Sequence, residues 1–119
     1  MRVLVVDDEP LITTMLARFA RVGGFEPTVA HDGLEAWRLF ADHPEGWDLI
    51  ITDIRMPHLD GVAFARRVRA SRGDLPVVFI SGHGDIPDVE SFSPAAFLAK
   101  PFKRAQLLEA MEATSTPAH

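Results

Sequence analysis

The feature that most limits how this chain can fold is the brevity of its wholly apolar runs and the regularity with which amphipathic stretches separate them. Residues 3–6 (Val-Leu-Val-Val) are apolar at every position, as expected of a strand covered by helices on both faces. Leu11, Ile12, Met15, Leu16, Phe19 and Val22 then recur at helical spacing, and Gly23-Gly24 predict the stop. Residues 27–30 read as a second strand, and Asp32-Gly33 as the turn into a helix with Ala36, Leu39 and Phe40 inward. Residues 49–52 read as a third strand, bounded by Pro44-Glu45-Gly46 before it and Met56-Pro57 after it. Asp60-Gly61 open a helix through Val62, Ala65 and Val68 that ends near Arg72-Gly73. Residues 76–80 predict a fourth strand, 96–98 a short fifth, and 104–111 a last helix. This alternation predicts an α/β fold with a doubly wound parallel sheet and right-handed crossovers.

One stretch breaks the rhythm. Residues 84–94 contain Pro87 and Pro94 and little periodicity, so any helix there is limited to a turn or two. At the other end of the regular pattern, residues 114–119 (Thr-Ser-Thr-Pro-Ala-His) read as a frayed tail or the start of a removed linker, leaving 1–113 as the domain.

Composition narrows the class. A length of 119 residues fits one domain, and 47% hydrophobic residues can build its core without staples. Cysteine is absent, which excludes disulfides and thiolate metal sites and suits a reducing compartment. A net charge of -5 argues against a nucleic-acid-binding surface. No apolar run approaches bilayer length and the start lacks a signal-peptide pattern, so a soluble, cytoplasmic protein is expected, with no membrane association.

The chemistry is read at the carboxyl ends of the strands, where open α/β sheets bind ligands. The first strand delivers Asp7-Asp8, the third Asp53, the fourth Ser81, and the segment after the fifth Lys100. Carboxylates about 4 Å apart repel by roughly 4 kcal/mol at an effective dielectric of 20. Such a cluster persists by raising a pKa or by holding a cation, and oxygen ligands alone favour a hard ion such as Mg²⁺. An arriving phosphoryl group would find the cation, the Lys100 ammonium and the Ser81 hydroxyl for its oxygens. Asp53, lying between the Asp pair and Ser81, is the candidate nucleophile for an aspartyl-phosphate.

Plainer readings exist for each residue. The Asp pair could merely begin a helix, Asp53 could cap a loop, Ser81-Gly82 could be turn chemistry, and Phe97 could be core. The five histidines show no metal-ligand spacing. Trp37 and Trp47 read as packing residues, and Arg66, Arg67, Arg69 and Arg72 as a solvated helix face.

The motifs together resemble the bacterial response-regulator receiver domains of two-component signalling. The matching pieces are Val5-Val6-Asp7-Asp8-Glu9-Pro10, residues 48–57 (DLIITDIRMP) with Asp60-Gly61, residues 76–87 (PVVFISGHGDIP), and residues 97–102 (FLAKPF). The resemblance implies a CheY-like, flavodoxin-like three-layer sandwich with five parallel strands in the order 2-1-3-4-5. It implies Mg²⁺ bound directly by Asp8 and Asp53 and the carbonyl of Arg55, with Asp7 acting through water. It implies Asp53 as phosphoacceptor, Lys100 as phosphate-binding lysine followed by a cis Pro101, and Ser81 as switch hydroxyl. Phe97 matches the aromatic switch position, and Arg55 and His83 match positions that tune dephosphorylation. The implied partners are a histidine kinase or phosphotransfer protein and a downstream protein, with no direct nucleic-acid binding and with a homodimer compatible.

The chain also departs from the family. The interval from Ser81 to Lys100 is shorter by about one helical turn, a loss that falls on the fourth helix. Phe97 has no hydroxyl. Three roles fit: a receiver that catalyses only its own phosphorylation and slow hydrolysis; the same domain cut from a hybrid histidine kinase or DNA-binding regulator; or, more remotely, an aspartyl-phosphate phosphatase. Such phosphatases commonly carry a second acid two residues after the nucleophile, where this chain has Arg55.

Overall fold

Strands form where β-branched and aliphatic residues cluster, and helices where the apolar spacing changes to between three and four. The computed structural model describes residues 1–82 and 88–115. Its strands are β1 (Arg2–Val6), β2 (Glu26–Ala30), β3 (Leu49–Asp53), β4 (Val77–Ser81) and β5 (Ala95–Ala99). The α-helices are α1 (Pro10–Val22), α2 (Gly33–Asp42), α3 (Gly61–Ser71) and α4 (Arg104–Ser115). All strand pairs are parallel, and the sheet order is β2-β1-β3-β4-β5, as the motifs implied.

Alternation along the strands builds two cores. Leu4 and Val6 of β1, Ile50 of β3, and Val77 and Phe79 of β4 pack with Ala36 and Phe40 of α2 and Phe64, Ala65 and Val68 of α3. Their neighbours Val3, Val5, Leu49, Ile51, Val78 and Ile80 face the other way, onto Leu16 and Ala20 of α1 and Leu107 and Met111 of α4. Each fully buried aliphatic side chain contributes on the order of 1.5–3 kcal/mol, so the three inner strands hold the layers together.

Local signals set the helix ends. Asp32 and Asp60 cap α2 and α3, accepting from the amides of Glu35 at 2.7 Å and Ala63 at 2.8 Å. After α1, Gly24 adopts φ +88, while Phe25 N–H donates to Ala20 O and Gly24 N–H to Arg21 O, both at 3.0 Å. That double closure is the Schellman arrangement, and it requires a residue that tolerates positive φ.

Several expectations need correction. On α1, Leu11 and Val22 do not face inward: they are 85% and 58% exposed. Thr13, Leu16, Ala17 and Ala20 form the buried face, because the helix lies close enough to the sheet to favour small side chains. The region between β4 and β5, by contrast, matches the expectation of no more than a turn or two: among the described residues it holds a single 3-10 turn, Val89–Phe92, with Phe92 buried edge-on against Phe79 at 5.2 Å. Helix α4 extends through Thr114 and Ser115, which the sequence assigns to a tail. Thr114 is buried and its hydroxyl donates to Ala110 O at 2.9 Å, so the side chain satisfies itself within the helix. Arg69 and Arg72 are half-buried rather than solvated. Arg69 donates to Phe92 O at 2.5 Å, and Arg72 to Trp47 O at 2.8 Å.

Candidate functional site

Sheet register assembles the site. Val6 pairs with Thr52, so the residues that follow, Asp7 and Asp53, emerge side by side. The amide of Asp7 still donates to Ala30 O at 3.2 Å, which prolongs β1 to the rim. Ser81 ends β4 opposite Ala99, and the next amide, that of Lys100, donates to Ser81 O at 2.8 Å. Carboxylate oxygens of Asp7, Asp8 and Asp53 all lie within 4.8 Å of one another. These three acids and Lys100 therefore lie together, with Ser81 at the end of the neighbouring strand.

The three acids are not equivalent. Asp7 is fully buried; its Oδ1 accepts from the Glu9 amide and its Oδ2 from Lys100 Nζ, both at 2.9 Å. Asp8 is exposed. Asp53 is only 4% exposed, and its Oδ1 lies 3.5 Å from Lys100 Nζ without hydrogen-bonding it. Among the described residues that oxygen has no hydrogen-bond partner. Burial, reinforced by the neighbouring Asp7 charge, pushes the Asp53 carboxyl up to about 6, with Lys100 opposing. Burial also raises Asp7, outweighing the Glu9 amide and Lys100. Burial alone would lower Lys100, but its bond to Asp7 and the charges of Asp7 and Asp53 raise it overall.

Such a site favours a hard divalent cation. It offers oxygen donors only, carries more carboxylates than the one ammonium can neutralise, and leaves one buried acceptor bare.

The remaining predicted residues lie around this centre. Ser81 is buried, and Arg55 is exposed on the loop after β3. Phe97 is half-buried, pairs in register with Phe79 and packs on the core between the sheet and α2–α3. The Lys100–Pro101 peptide is cis, and so is Ser93–Pro94. His83 lies outside the described residues. In the loop after β3, His58 has φ +71 and Leu59 N–H donates to Pro57 O at 2.8 Å, a strained γ-turn beside the site.

Two residues at the site had no sequence reading as site groups. The Thr52 hydroxyl donates to the carbonyl of Asp53 at 2.9 Å. Gly61 presses on the same carbonyl: a Cβ there would stand 1.9 Å from Asp53 O. The Asp60-Gly61 pair signalled a helix start, but neither contact was visible in it.

A parallel five-stranded sheet with an acid triad and a lysine at its carboxyl rim defines a class of signalling domain, and the comparisons agree. Residues 3–112 match the family model of the response regulator receiver domain, and the chain belongs to that family, which serves two-component signalling. It is 35% identical over 117 residues to the response regulator MprA of Mycobacterium avium (strain 104), covering 95% of this chain and 50% of that protein. With the transcriptional regulatory protein PrrA of Mycobacterium bovis it shares 39% identity over 115 residues, covering 94% and 48%. The chain thus spans about half the length of these relatives. Among solved structures, the CheX–CheY–BeF3–Mg²⁺ complex of Borrelia burgdorferi aligns with a TM-score of 0.88 and 27% identity, covering 98% of this chain and 90% of that one. Among the described residues, no helix is long and apolar enough to cross a membrane.

Proposed function

We propose that this receiver is a phosphoacceptor modified on Asp53 in a Mg²⁺-dependent reaction. One observation carries the reading: the buried Oδ1 of Asp53, which among the described residues accepts no hydrogen bond and is flanked by Asp7, Asp8 and Lys100. Asp8, Asp53 and the Arg55 carbonyl would hold the ion, with Asp7 acting through water. Mg²⁺ bound there supplies charge that offsets the carboxylates and the incoming phosphoryl oxygens.

The chain's own groups do the rest. A carboxylate oxygen of Asp53 forms the new bond to phosphorus while the donor's bond to phosphorus breaks, the leaving group keeping the electron pair and taking a proton. Lys100 turns its ammonium towards one phosphoryl oxygen, and the Ser81 hydroxyl donates to another. The donor would be a histidine kinase or phosphotransfer protein. Slow hydrolysis returns the acid, with Arg55 and His83 as tuning positions and Phe97 as an aromatic switch. Regulators of about twice this length among the relatives support a role for the domain within, or alongside, a transcriptional regulator.

Incubation with phosphoramidate, with and without Mg²⁺, tests this. Intact mass should rise by one phosphoryl group in the native protein only when Mg²⁺ is present, and not in Asp53→Asn. Uptake at another residue, or uptake indifferent to Mg²⁺, would refute the reading. Sustained turnover of a chromogenic phosphate ester would favour a phosphatase instead.

A further inference from the structure

Among the described residues no hydrogen bond reaches the buried Oδ1 of Asp53, so its placement leans on the main chain that carries it. That main chain is gripped on several sides. The amide of Ile54 donates to Ile80 O of β4 at 3.1 Å, and the carbonyl of Ile54 accepts from the Gly61 amide at 2.7 Å. The carbonyl of Asp53 accepts from the buried Thr52 hydroxyl at 2.9 Å. Gly61, the first residue of α3, closes the remaining side. A Cβ there would stand 1.9 Å from Asp53 O, 2.9 Å from Asp53 C and 3.0 Å from Ile54 Cα. All three are backbone atoms, so no flexible side chain can move aside. A methyl group at position 61 must displace the peptide that bears the carboxylate.

We infer that Thr52 and Gly61 are positioning residues, which aim the Asp53 carboxylate through its own main chain; this rests on the phosphoacceptor reading above. Neither residue supplies a ligand or a proton. Their work is to hold the strand end still so that the reacting oxygen can stay free.

Three variants of the full chain test this: Thr52→Val, Gly61→Ala and Gly24→Ala. Valine keeps the branched shape and strand preference but removes the hydroxyl. Gly24 is the control: it leads into the amino end of β2, on the rim of the sheet opposite Asp53, and its φ of +88 strains any side chain placed there. Two quantities are measured well below each variant's melting temperature: Mg²⁺ affinity by calorimetry without phosphodonor, and the rate of phosphoryl uptake from phosphoramidate at saturating Mg²⁺.

Uptake should slow about 3- to 10-fold in Thr52→Val, the scale of one lost hydrogen bond. In Gly61→Ala it should slow on the order of 10- to 100-fold, as expected of a misplaced reacting group, and Mg²⁺ should bind more weakly. Gly24→Ala should keep both quantities near native values however far its melting temperature falls. Native uptake and affinity in Thr52→Val and Gly61→Ala would overturn the inference, as would equal losses in Gly24→Ala. If Gly61→Ala does not fold, Thr52→Val against Gly24→Ala decides it. If the native protein takes no phosphoryl group, the phosphoacceptor reading fails, and the Mg²⁺ affinities of the same variants still decide the positioning.

Discussion

Lys100 is hydrogen-bonded to Asp7 at 2.9 Å, whereas the nearer oxygen of Asp53 lies 3.5 Å away and is not bonded to it. The lysine therefore rests on Asp7, whose other oxygen already accepts from the Glu9 amide, and leaves Asp53 open. A phosphoryl group on Asp53 would bring new acceptor oxygens within the reach of the same ammonium. In the unmodified state the lysine's main energetic role is to neutralise a buried carboxylate.

Lys100→Met removes that neutralisation while keeping most of the stem. Asp7 Oδ2 is then left buried without its charged partner, a loss on the order of 1–3 kcal/mol at neutral pH. Urea unfolding should show a lower midpoint with an unchanged slope. Adding Asp7→Asn to Lys100→Met should recover part of the loss, because no unpaired charge remains. An unchanged midpoint in Lys100→Met would contradict the ion pair.

The raised Asp53 pKa fixes a pH dependence for the metal-free protein. Between its unfolded value near 3.8 and its folded value of about 6, the folded state holds the proton more tightly than the unfolded chain. Its contribution to stability is therefore fully present below the unfolded value and is lost as pH rises through about 6. The shift corresponds to at most about 3 kcal/mol, from roughly 1.4 kcal/mol per pK unit. Asp53→Asn carries no such penalty. Its stability advantage over the native protein should grow from about pH 4 to 7, and Mg²⁺ at pH 7 should raise the native melting temperature more than the variant's. A difference independent of pH would contradict the assigned shift.

The face of α1 can be checked with a pair of substitutions. Leu11→Ser should change stability by no more than about 0.5 kcal/mol, because Leu11 is 85% exposed. Leu16→Ala, at a fully buried position, should cost about 2–5 kcal/mol. Near-equal losses in the two by thermal or urea unfolding would contradict this assignment of the buried face.

These examples mark how far the sequence could be read. The sheet was legible because β1, β3 and β4 are apolar at nearly every position, and the acids and Lys100 because strand ends mark the rim of such a sheet. On α1, counting apolar residues favoured Leu11 and Val22, but close approach to the sheet selects small Ala17 and Ala20 for the inner face. Arg69 and Arg72 looked solvated because a sequence does not show which carbonyls will lack partners. The contacts of Thr52 and Gly61 with the Asp53 carbonyl were equally hidden, since backbone proximity across a loop leaves no periodic signal.

The shortened β4–β5 connection gives the last prediction. Its 3-10 turn has too few backbone hydrogen bonds to hold itself, and two tertiary contacts secure it. Phe92 is 5% exposed and meets Phe79 edge-on, and Arg69 donates to the Phe92 carbonyl at 2.5 Å while also bonding Arg72 O at 3.1 Å. Phe92→Ala should cost about 3–5 kcal/mol, the usual scale for a buried phenylalanine. Arg69→Met, which keeps an apolar stem but leaves the Phe92 carbonyl without its charged donor, should cost about 1–3 kcal/mol. The two residues hold the same turn, so their effects should not add: once Phe92 is truncated, the Arg69 bond has less ordered structure to secure. A double-mutant cycle by urea unfolding measures the coupling. Strict additivity would mean that the turn is held by its neighbours in the chain rather than jointly by β4 and α3.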